Sequence, residues 1–353
     1  MSARALLPSL AALLLAALLV AVTLLLLGVS PTRAATGLLD GAFGSPLAIT
    51  DTLVKATPLI FCGLAVALAF EGALWNIGAD GQLIAGAVAA GGIGPRLASW
   101  PHPLAVSALL LVGALGGGAW GWIAGWLRAR RNVSEVISTI MLNYSAAQIL
   151  AWAVHGPLIE ASRAFPESSA IAASARLQLY FAPSRLNLGM ALAAVLSGLA
   201  YLYLYRSAWG FALRAIGRSP RAATFHGLAT TRVIITTLVL SGALAGLGGA
   251  VQVTAITHRL YEAFSPGWGY EAIAVALVAR LNPLAIVPSA IFFGALDNGA
   301  QAMQRAAGVS AVLVQVIEAL VIIILLAFDS AAGRRLGRGL LSPATPDSAE
   351  VDA

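Results

Sequence analysis

Long apolar runs separated by short polar segments dominate the sequence. Many runs approach the length of about 20 residues that an α-helix needs to cross the hydrocarbon of a bilayer. Residues 83–93 and 270–278 form shorter runs, and we expect at least the first to be a partial or tilted crossing. Residues 30–51 predict a polar loop, and residues 155–188 predict a long external loop. The pattern predicts about ten transmembrane helices, at residues 6–28, 53–74, 83–93, 103–127, from within 132–144 onward, 189–205, 233–253, 270–278, 284–301 and 312–328.

The composition supports an all-α polytopic membrane protein. The 353 residues are 59% hydrophobic and only 10% charged, whereas a soluble domain usually carries about 25% charged residues. We therefore expect a transmembrane domain at 1–332 and a polar, disordered cytoplasmic tail at 333–353. A cleaved signal peptide is the alternative for residues 6–28, but this run is too long for a typical signal sequence.

The arginines predict the orientation in the membrane. Three arginines fall within 128–131 and five within 206–232, a segment that contains no acid. Because cytoplasmic loops are enriched in Lys and Arg, we expect both segments and both termini to be cytoplasmic.

Small residues recur on one side of two predicted helices, where another backbone can approach closely. The string AVAL occurs at 65–68 and again at 274–277, which is consistent with an internal repeat. Cys62 is the one cysteine, and we expect it to pack as a small apolar residue. The small residues are Gly113, Gly117, Gly121 and Gly125 in the fourth span and Gly242, Gly246 and Ala250 in the seventh.

The sequence offers no chemistry of its own for ATP or catalysis. Its one lysine, Lys55, follows the string ITDTLV rather than the glycine-rich loop that cradles phosphates. Four histidines lack metal-ligand spacing, and no G-x-S-x-G nucleophile motif is present. We expect no catalytic residue, metal, bound cofactor or nucleic-acid partner. If transport uses ATP, another chain binds it.

Residues 71–82 interrupt an apolar region with acids, amides and glycines. Such a break is tolerated at membrane depth only where it is buried in protein or lines water, and the alternative is an ordinary cytoplasmic turn. Polar residues within spans are functional candidates, although each could instead join helices by hydrogen bonds. We predict that the substrate pathway includes Glu71, Trp75, Asn76, Asp80, Gln82, Asn143 and Asn298.

The basic segment at 206–232 contains a short helix with both ends marked. Ser219 can cap its start, Pro220 suits the first helical position, and Gly227 suits the left-handed residue that closes a helix. Small residues between them suit close docking into a groove. The alternative is a solvated basic loop.

Four strings resemble the ribose, nucleoside and branched-chain amino-acid permease superfamily of bacterial ABC importers, its nucleoside branch above all. They lie at 75–82, 132–144, 214–228 and 269–284, and the resemblance extends over about residues 58–327. Trp75 and Asp80 replace a Phe and a Glu of the family pattern, and Arg221 stands where an acid is common.

The resemblance implies a permease subunit in the inner membrane that moves a nucleoside, which we expect to be a purine nucleoside, through alternating access. The implied partners are an ABC ATPase, a second permease, homologous or identical, and an external solute-binding protein. The alternatives are a simple-sugar or branched-chain amino-acid permease, an ion-coupled transporter or channel, and an intramembrane enzyme, which the missing site disfavours. The residues implied in ATPase coupling are Arg214, Arg218, Ser219, Pro220, Ala222, Ala223 and Gly227.

Overall fold

The computed structural model describes residues 18–26, 28–180 and 183–308, and the isolated positions 316, 319, 320, 323 and 324. The predicted spans at 6–28 and 312–328 lie largely outside the described residues. The predicted tail at 333–353 lies outside them entirely.

Helices make up most of the structure between residues 31 and 308. A 3-10 turn follows α3 at Gly94–Leu97, another lies at Ala173–Ala175, and a π-helical turn, Val253–Thr257, extends α9. The helices are α1 Pro31–Phe43, α2 Pro46–Phe70, α3 Ala79–Ile93, α4 His102–Arg131, α5 Glu135–His155, α6 Leu188–Arg206, α7 Ala208–Arg218, α8 Pro220–Phe225, α9 Thr230–Gln252, α10 Trp268–Val278 and α11 Pro283–Ala307.

Six of these helices are long and apolar enough to cross a bilayer: α2, α4, α5, α6, α9 with its π turn, and α11. α10 is a shorter apolar helix, and α3 is also short, at 15 residues. The all-α polytopic architecture is confirmed. The total of ten spans, the sidedness of the termini and the internal repeat stay predictions.

The polar loop predicted at 30–51 is wrong. Ser30 caps α1 and Ser45 caps α2, and a proline follows each cap at the first helical position. The glycines of this region are contact points rather than turns, because a side chain on Gly41 would overlap Ala302 of α11. Because Ser45 and Pro46 start the helix, α2 begins at Pro46 rather than at residue 53. It ends at Phe70 rather than at residue 74.

The basic segment at 206–232 contains a second helix, α7, that the pattern does not predict. This helix is amphipathic: Ala212, Leu213 and Ile216 are buried, whereas Trp209 and Phe211 are exposed. Its apolar face packs against α6, and its start is capped by the hydroxyl of Ser207.

The close approach predicted for the small residues is confirmed, and α4 and α9 are the two helices that meet. A side chain on Gly117 would overlap the carbonyl oxygen of Gly242, and one on Gly246 would overlap that of Gly113. Cys62 is fully buried in α2, as expected.

Large apolar side chains cover the outside of the bundle. Leu111, Leu115, Ile137 and Leu199 are each more than half exposed. An apolar surface of this kind suits contact with lipid rather than water.

The loops gather at two opposite ends of the bundle. At the end that we call the coupling end, residues 71–75, 128–135 and 206–230 meet, and the backbone N–H of Trp75 donates to Glu135 Oε1 at 3.4 Å. At the outer end, residues 94–102, 156–187 and 257–267 meet, and the N–H of Ile171 donates to the carbonyl of His258 at 2.9 Å. The arginine clusters used to predict the cytoplasmic side all lie at the coupling end.

The α4–α9 contact generates the first prediction. Gly117→Ala inserts a methyl group against a backbone oxygen that cannot move easily, so it should cost about 1–3 kcal/mol or more and lower the yield of folded protein in detergent. Gly198→Ala is the control, because a side chain there meets nothing within 4 Å. Equal yields and equal thermal transitions for the two variants would contradict the assigned contact.

Candidate functional site

Two short helices begin inside the bundle, and one carboxylate joins their starts. Asp80 lies in the first turn of α3, and its Oδ1 accepts from the backbone N–H of Gly269 at 3.0 Å, in the first turn of α10. The same oxygen accepts from the hydroxyl of Ser265 at 2.7 Å. The approach is close enough that a side chain on Gly269 would overlap the backbone of Asp80. The negative charge is favourable there because the N-terminal end of a helix carries partial positive charge.

The amides predicted for the substrate pathway complete this junction. Asn143 Oδ1 accepts from the N–H of Gly81 at 2.8 Å, and its Nδ2 donates to the carbonyl of Ile77 and to the hydroxyl of Tyr270 at 2.9 Å each. Asn143 is buried at 4% exposure. One amide therefore satisfies the start of α3, the preceding loop and α10 together.

Asn76 forms the second half of the junction. It is completely buried, and its Nδ2 donates to Gln82 Oε1 at 2.9 Å and to Ser241 Oγ at 2.8 Å. Ser241 lies eleven residues into α9, which at the rise of an α-helix is about 16 Å from that helix's start and close to mid-membrane. From Asn76 to Gln82 the break is therefore largely buried in protein, which is one of the two interpretations that the sequence allows.

The seven predicted pathway residues do not form one site. Glu71 and Trp75 lie at the coupling end, where Glu71 accepts from the hydroxyl of Tyr205 and Trp75 is half exposed beside Phe70. Asn298 donates to carbonyls of Gly41 and Ala48 near the start of α2.

These two groups are far apart. Thr52, which also accepts from Asn298, is separated from Phe70 by eighteen residues of α2, or about 27 Å. The pathway role of the seven residues stays a prediction, and the structure places them at three depths.

A polar cleft opens toward the outer end of the bundle. Its inner lobe has a volume of about 520 Å³ and lies between α2, α11 and the π turn. Lys55 Nζ forms an ion pair with Asp297 Oδ2 at 2.9 Å across this lobe. The other polar side chains that line it are Asp51, Arg185, Gln252, Asn298, Gln301 and Arg305.

The outer lobe, of about 500 Å³, adjoins the inner one and shares four lining residues with it. Arg259 stands in its wall and pairs with Glu167 at 2.8 Å and Glu160 at 3.3 Å, and the hydrogen bond to Glu167 raises the pKa of the Arg259 guanidinium. Tyr261, Phe264 and Trp268 add aromatic side chains to this wall. The shared residues are Arg185, Gln252, Ile256 and Trp268.

The cleft can hold a solute that has both hydrogen-bonding groups and a flat face. Gln252 is well placed for the first task, because its side-chain amide makes no hydrogen bond within the described part of the chain and lines both lobes. Trp268 offers an aromatic face to both lobes. The π turn that follows Gln252 is a form of helix irregularity often found at functional sites.

Of the predicted pathway residues, the cleft includes Asn298 alone. The sequence carried a signal for Lys55, since a lone charge within a span is a functional candidate, and for Asp297 and Gln301, which share a helix face. Trp268 and Arg185 lie in segments predicted as loops. Their convergence depends on the tertiary structure, which no pattern along the chain reveals.

The coupling end contains the short helix that the sequence predicts. Ser219 accepts from the N–H of Ala222, and Gly227 closes α8 with φ of +79°. The N–H groups of Gly227 and Leu228 bond back to α8 in the arrangement of a Schellman motif.

Two of the residues implied in ATPase coupling have other contacts. Ala223 is buried at 4% exposure among Leu68, Leu213 and Val233 of its own chain, so it is the inner face of α8. Arg214 donates to the carbonyl of Leu204 and so caps α6. Ala222, Phe225 and Arg221 form the exposed face, with Phe225 at 88% exposure. Ala223 therefore packs on its own chain, its role in ATPase coupling stays a prediction, and the surface of α8 open to a partner is the exposed face.

Comparisons with known proteins identify the family. A family described as "Branched-chain amino acid transport system / permease component" matches residues 48–326. The chain belongs to this family, and the resemblance seen in its motifs is confirmed. No solved structure matches the chain.

Three relatives cover most of the chain. The glucose ABC transporter permease protein TsgB13 of Haloferax volcanii is 32% identical over 90% of this chain and 86% of its own length. The guanosine ABC transporter permease protein NupP of Bacillus subtilis is 33% identical over 86% and 88%. The nucleoside ABC transporter permease protein NupB of Lactococcus lactis is 30% identical over 86% of each.

The protein is thus an ABC transporter permease of the nucleoside and sugar import family, a multi-pass protein of the inner membrane. It is a transport subunit rather than an enzyme, and its class works with an ATPase and a solute-binding protein.

The second prediction tests the sidedness of the two ends. In a Cys62→Ser background, Gln301→Cys should react with a membrane-impermeant maleimide in intact cells, because Gln301 is exposed in the cleft. Ser219→Cys is equally exposed but at the coupling end, so it should react only after permeabilisation. Labelling of Ser219→Cys from outside intact cells would overturn the orientation.

Proposed function

We propose that this chain translocates a nucleoside, specifically a purine nucleoside, across the inner membrane by alternating access. A separate ATPase supplies the energy, a second permease, homologous or identical, completes the membrane unit, and an external binding protein delivers the solute. ATP is bound by the partner, and this chain holds no cofactor. The observation that carries the proposal is the two-lobed polar cleft at the outer end.

The chemistry of the cleft supports a nucleoside. A purine nucleoside has a flat aromatic base, which can stack on Trp268, and ring nitrogens and hydroxyls, which can bond with Gln252 and Asn298. The Lys55–Asp297 pair offers a donor and an acceptor side by side to the sugar hydroxyls. The similarity to guanosine and nucleoside permeases points in the same direction.

The remaining predicted residues fit a path from the cleft to the coupling end. Asn76, Asp80, Gln82 and Asn143 build the junction that the solute would pass, in the role of a shaped wall. Glu71 and Trp75 would form the inner mouth, since Trp75 is 54% exposed and can stack a base that leaves.

A simple sugar is the second candidate, because the glucose permease TsgB13 is as similar to this chain as the guanosine permease is. A sugar would use the same amides and ion pair but would leave the wide outer lobe partly empty. Competition between the two solutes separates these candidates.

The third prediction concerns transport. Proteoliposomes containing the complete transporter, with its binding protein outside, should take up labelled guanosine when ATP is supplied to the ATPase. Gln252→Leu should lower uptake kcat/KM about tenfold through loss of one hydrogen bond to a desolvated solute.

Gln148→Leu is the matched control, since Gln148 is exposed on α5 away from the cleft; it should transport normally. ATP-dependent uptake of glucose that guanosine does not inhibit would favour the sugar. Uptake driven by an ion gradient without the ATPase would refute the proposal as a whole.

The fourth prediction concerns docking. We propose that the exposed face of α8, with Ser219, Pro220, Ala222 and the nearby Arg218, docks on the ATPase, and that Phe225 is its apolar anchor. Phe225→Glu should abolish copurification of the ATPase and uptake, while the chain itself inserts and folds normally. Ala223→Glu should instead misfold, since it would bury an unpaired charge at a cost of a few kcal/mol.

Phe165→Glu is the control for this variant. It makes the same change at a residue that is 66% exposed at the outer end, so ATPase recovery should be unchanged. If α8 is only a solvated loop, Phe225→Glu would be a surface change worth under about 0.5 kcal/mol, and wild-type ATPase recovery would show this.

A further inference from the structure

At the coupling end, α7 packs directly against residues 71 and 72, the start of the break. Leu213 of α7 presses on Gly72, where a side chain would overlap the leucine. A side chain on Gly217, one turn further along α7, would come within 2.7 Å of the carbonyl oxygen of Glu71. α8 in turn packs on α7 through Ala223. A displacement of α7 and α8 must therefore displace residues 71–72.

The break transmits such a displacement rather than absorbing it. Residue 73 is an alanine with φ of +53°, a conformation that costs free energy for any residue other than glycine. Such a conformation persists only where the surrounding contacts hold the loop in place. Ile77 donates to Thr139 at 3.3 Å and accepts from Asn143 at 2.9 Å. Four residues after Ala73 the chain is thus held on α5, and α3 begins at Ala79.

Asp80 carries the contact from α3 to the wall of the cleft. Its Oδ1 holds both Ser265 and Gly269, and these residues flank Trp268 on either side. Trp268 lines both lobes of the cleft. The bonds of this carboxylate oxygen therefore help to fix the start of α10, and with it the Trp268 side chain, beside α3.

We propose that Asp80 is the positioning residue that links the coupling end to the solute cleft. Through it, movement of α7 and α8 shifts the start of α10 and opens or closes the lobes around Trp268. This inference rests on the proposed function, because it requires that ATP binding or hydrolysis by the ATPase moves α7 and α8. It adds to that function the residue through which the cleft receives the movement, and it assigns Asp80 to transmission rather than to solute binding.

Two serine substitutions form the first test. Ser265→Ala removes the bond from Ser265 to Asp80 on the proposed route, together with the bond that Ser265 accepts from the N–H of Gly267. Ser197→Ala removes a bond off the route, namely the bond from Ser197 to the carbonyl of Pro283 at 2.8 Å. Both complexes should assemble and hydrolyse ATP at the basal rate. Ser265→Ala should lower the maximal uptake rate about tenfold with little change in KM, while Ser197→Ala should transport normally.

Asp80→Asn and Asp80→Glu extend this test. Asp80→Asn keeps the shape but removes the charge from the helix starts, so it should uncouple hydrolysis from uptake as Ser265→Ala does. Asp80→Glu restores the charge and should recover part of the uptake rate. Normal uptake by Asp80→Asn, or an equal loss in Ser197→Ala, would overturn the proposal, and a raised KM at constant maximal rate would assign Asp80 to solute binding instead.

A second readout needs no transported solute and so separates this proposal from the choice of nucleoside. In a Cys62→Ser background, Ala263→Cys places a thiol on the outer lobe, at an exposed position. In the assembled complex, trapping the ATPase with ATP and vanadate should change the rate at which maleimide modifies this thiol about fivefold or more. The Asp80→Asn substitution should abolish that change. The inference would be overturned if trapping changed the modification rate equally in the parent and Asp80→Asn complexes. It would also be overturned if trapping left the modification rate of the parent complex unchanged.

Discussion

The fold depends on hydrogen bonds to backbone groups at a depth in the membrane where no water is available to make them. α3 and α10 both begin inside the bundle, and the first N–H groups of a helix have no partner within it. Asp80 accepts from the start of α10, and Asn143 accepts from the start of α3. Asn76 secures the loop that leads to them by bonding to α9. Without these three side chains the two half-helices would leave unpaired donors in hydrocarbon, at a cost of several kcal/mol.

The arrangement divides the bundle into a rigid part and a part with irregular helices. α4 and α9 meet backbone to backbone along their glycines, which leaves little freedom for either to shift. The cleft, in contrast, borders a proline within α2, the π turn after α9 and the short α10. Irregular helices bend at defined points, so we expect movement to concentrate around the cleft and the α4–α9 pair to serve as the frame.

The sequence predicted the all-α polytopic architecture, because hydrophobic length follows directly from the bilayer. It also located the break at 71–82 from its polar residues, but it left open whether the break is buried or an ordinary turn. It predicted α8 from the pair Ser219–Pro220, and the same signature at Ser30–Pro31 and Ser45–Pro46 marks α1 and α2, where polar and glycine residues suggested a loop. The side of α8 that Ala223 occupies could not be predicted, since a small residue suits packing on its own chain as well as on a partner. The cleft could not be predicted either, because it joins residues from segments far apart in sequence.

The central claim is that the cleft at the outer end opens and closes under control of the coupling end. The most direct measurement is the distance between spin labels on Leu47 and Ala263, two exposed residues on the inner and outer lobes. The labels are placed in a Cys62→Ser chain assembled with its ATPase. We expect the distance distribution to shift when ATP and vanadate trap the ATPase, and we expect that shift to be lost when α8 cannot dock. An identical distribution in the resting and trapped complexes would contradict it.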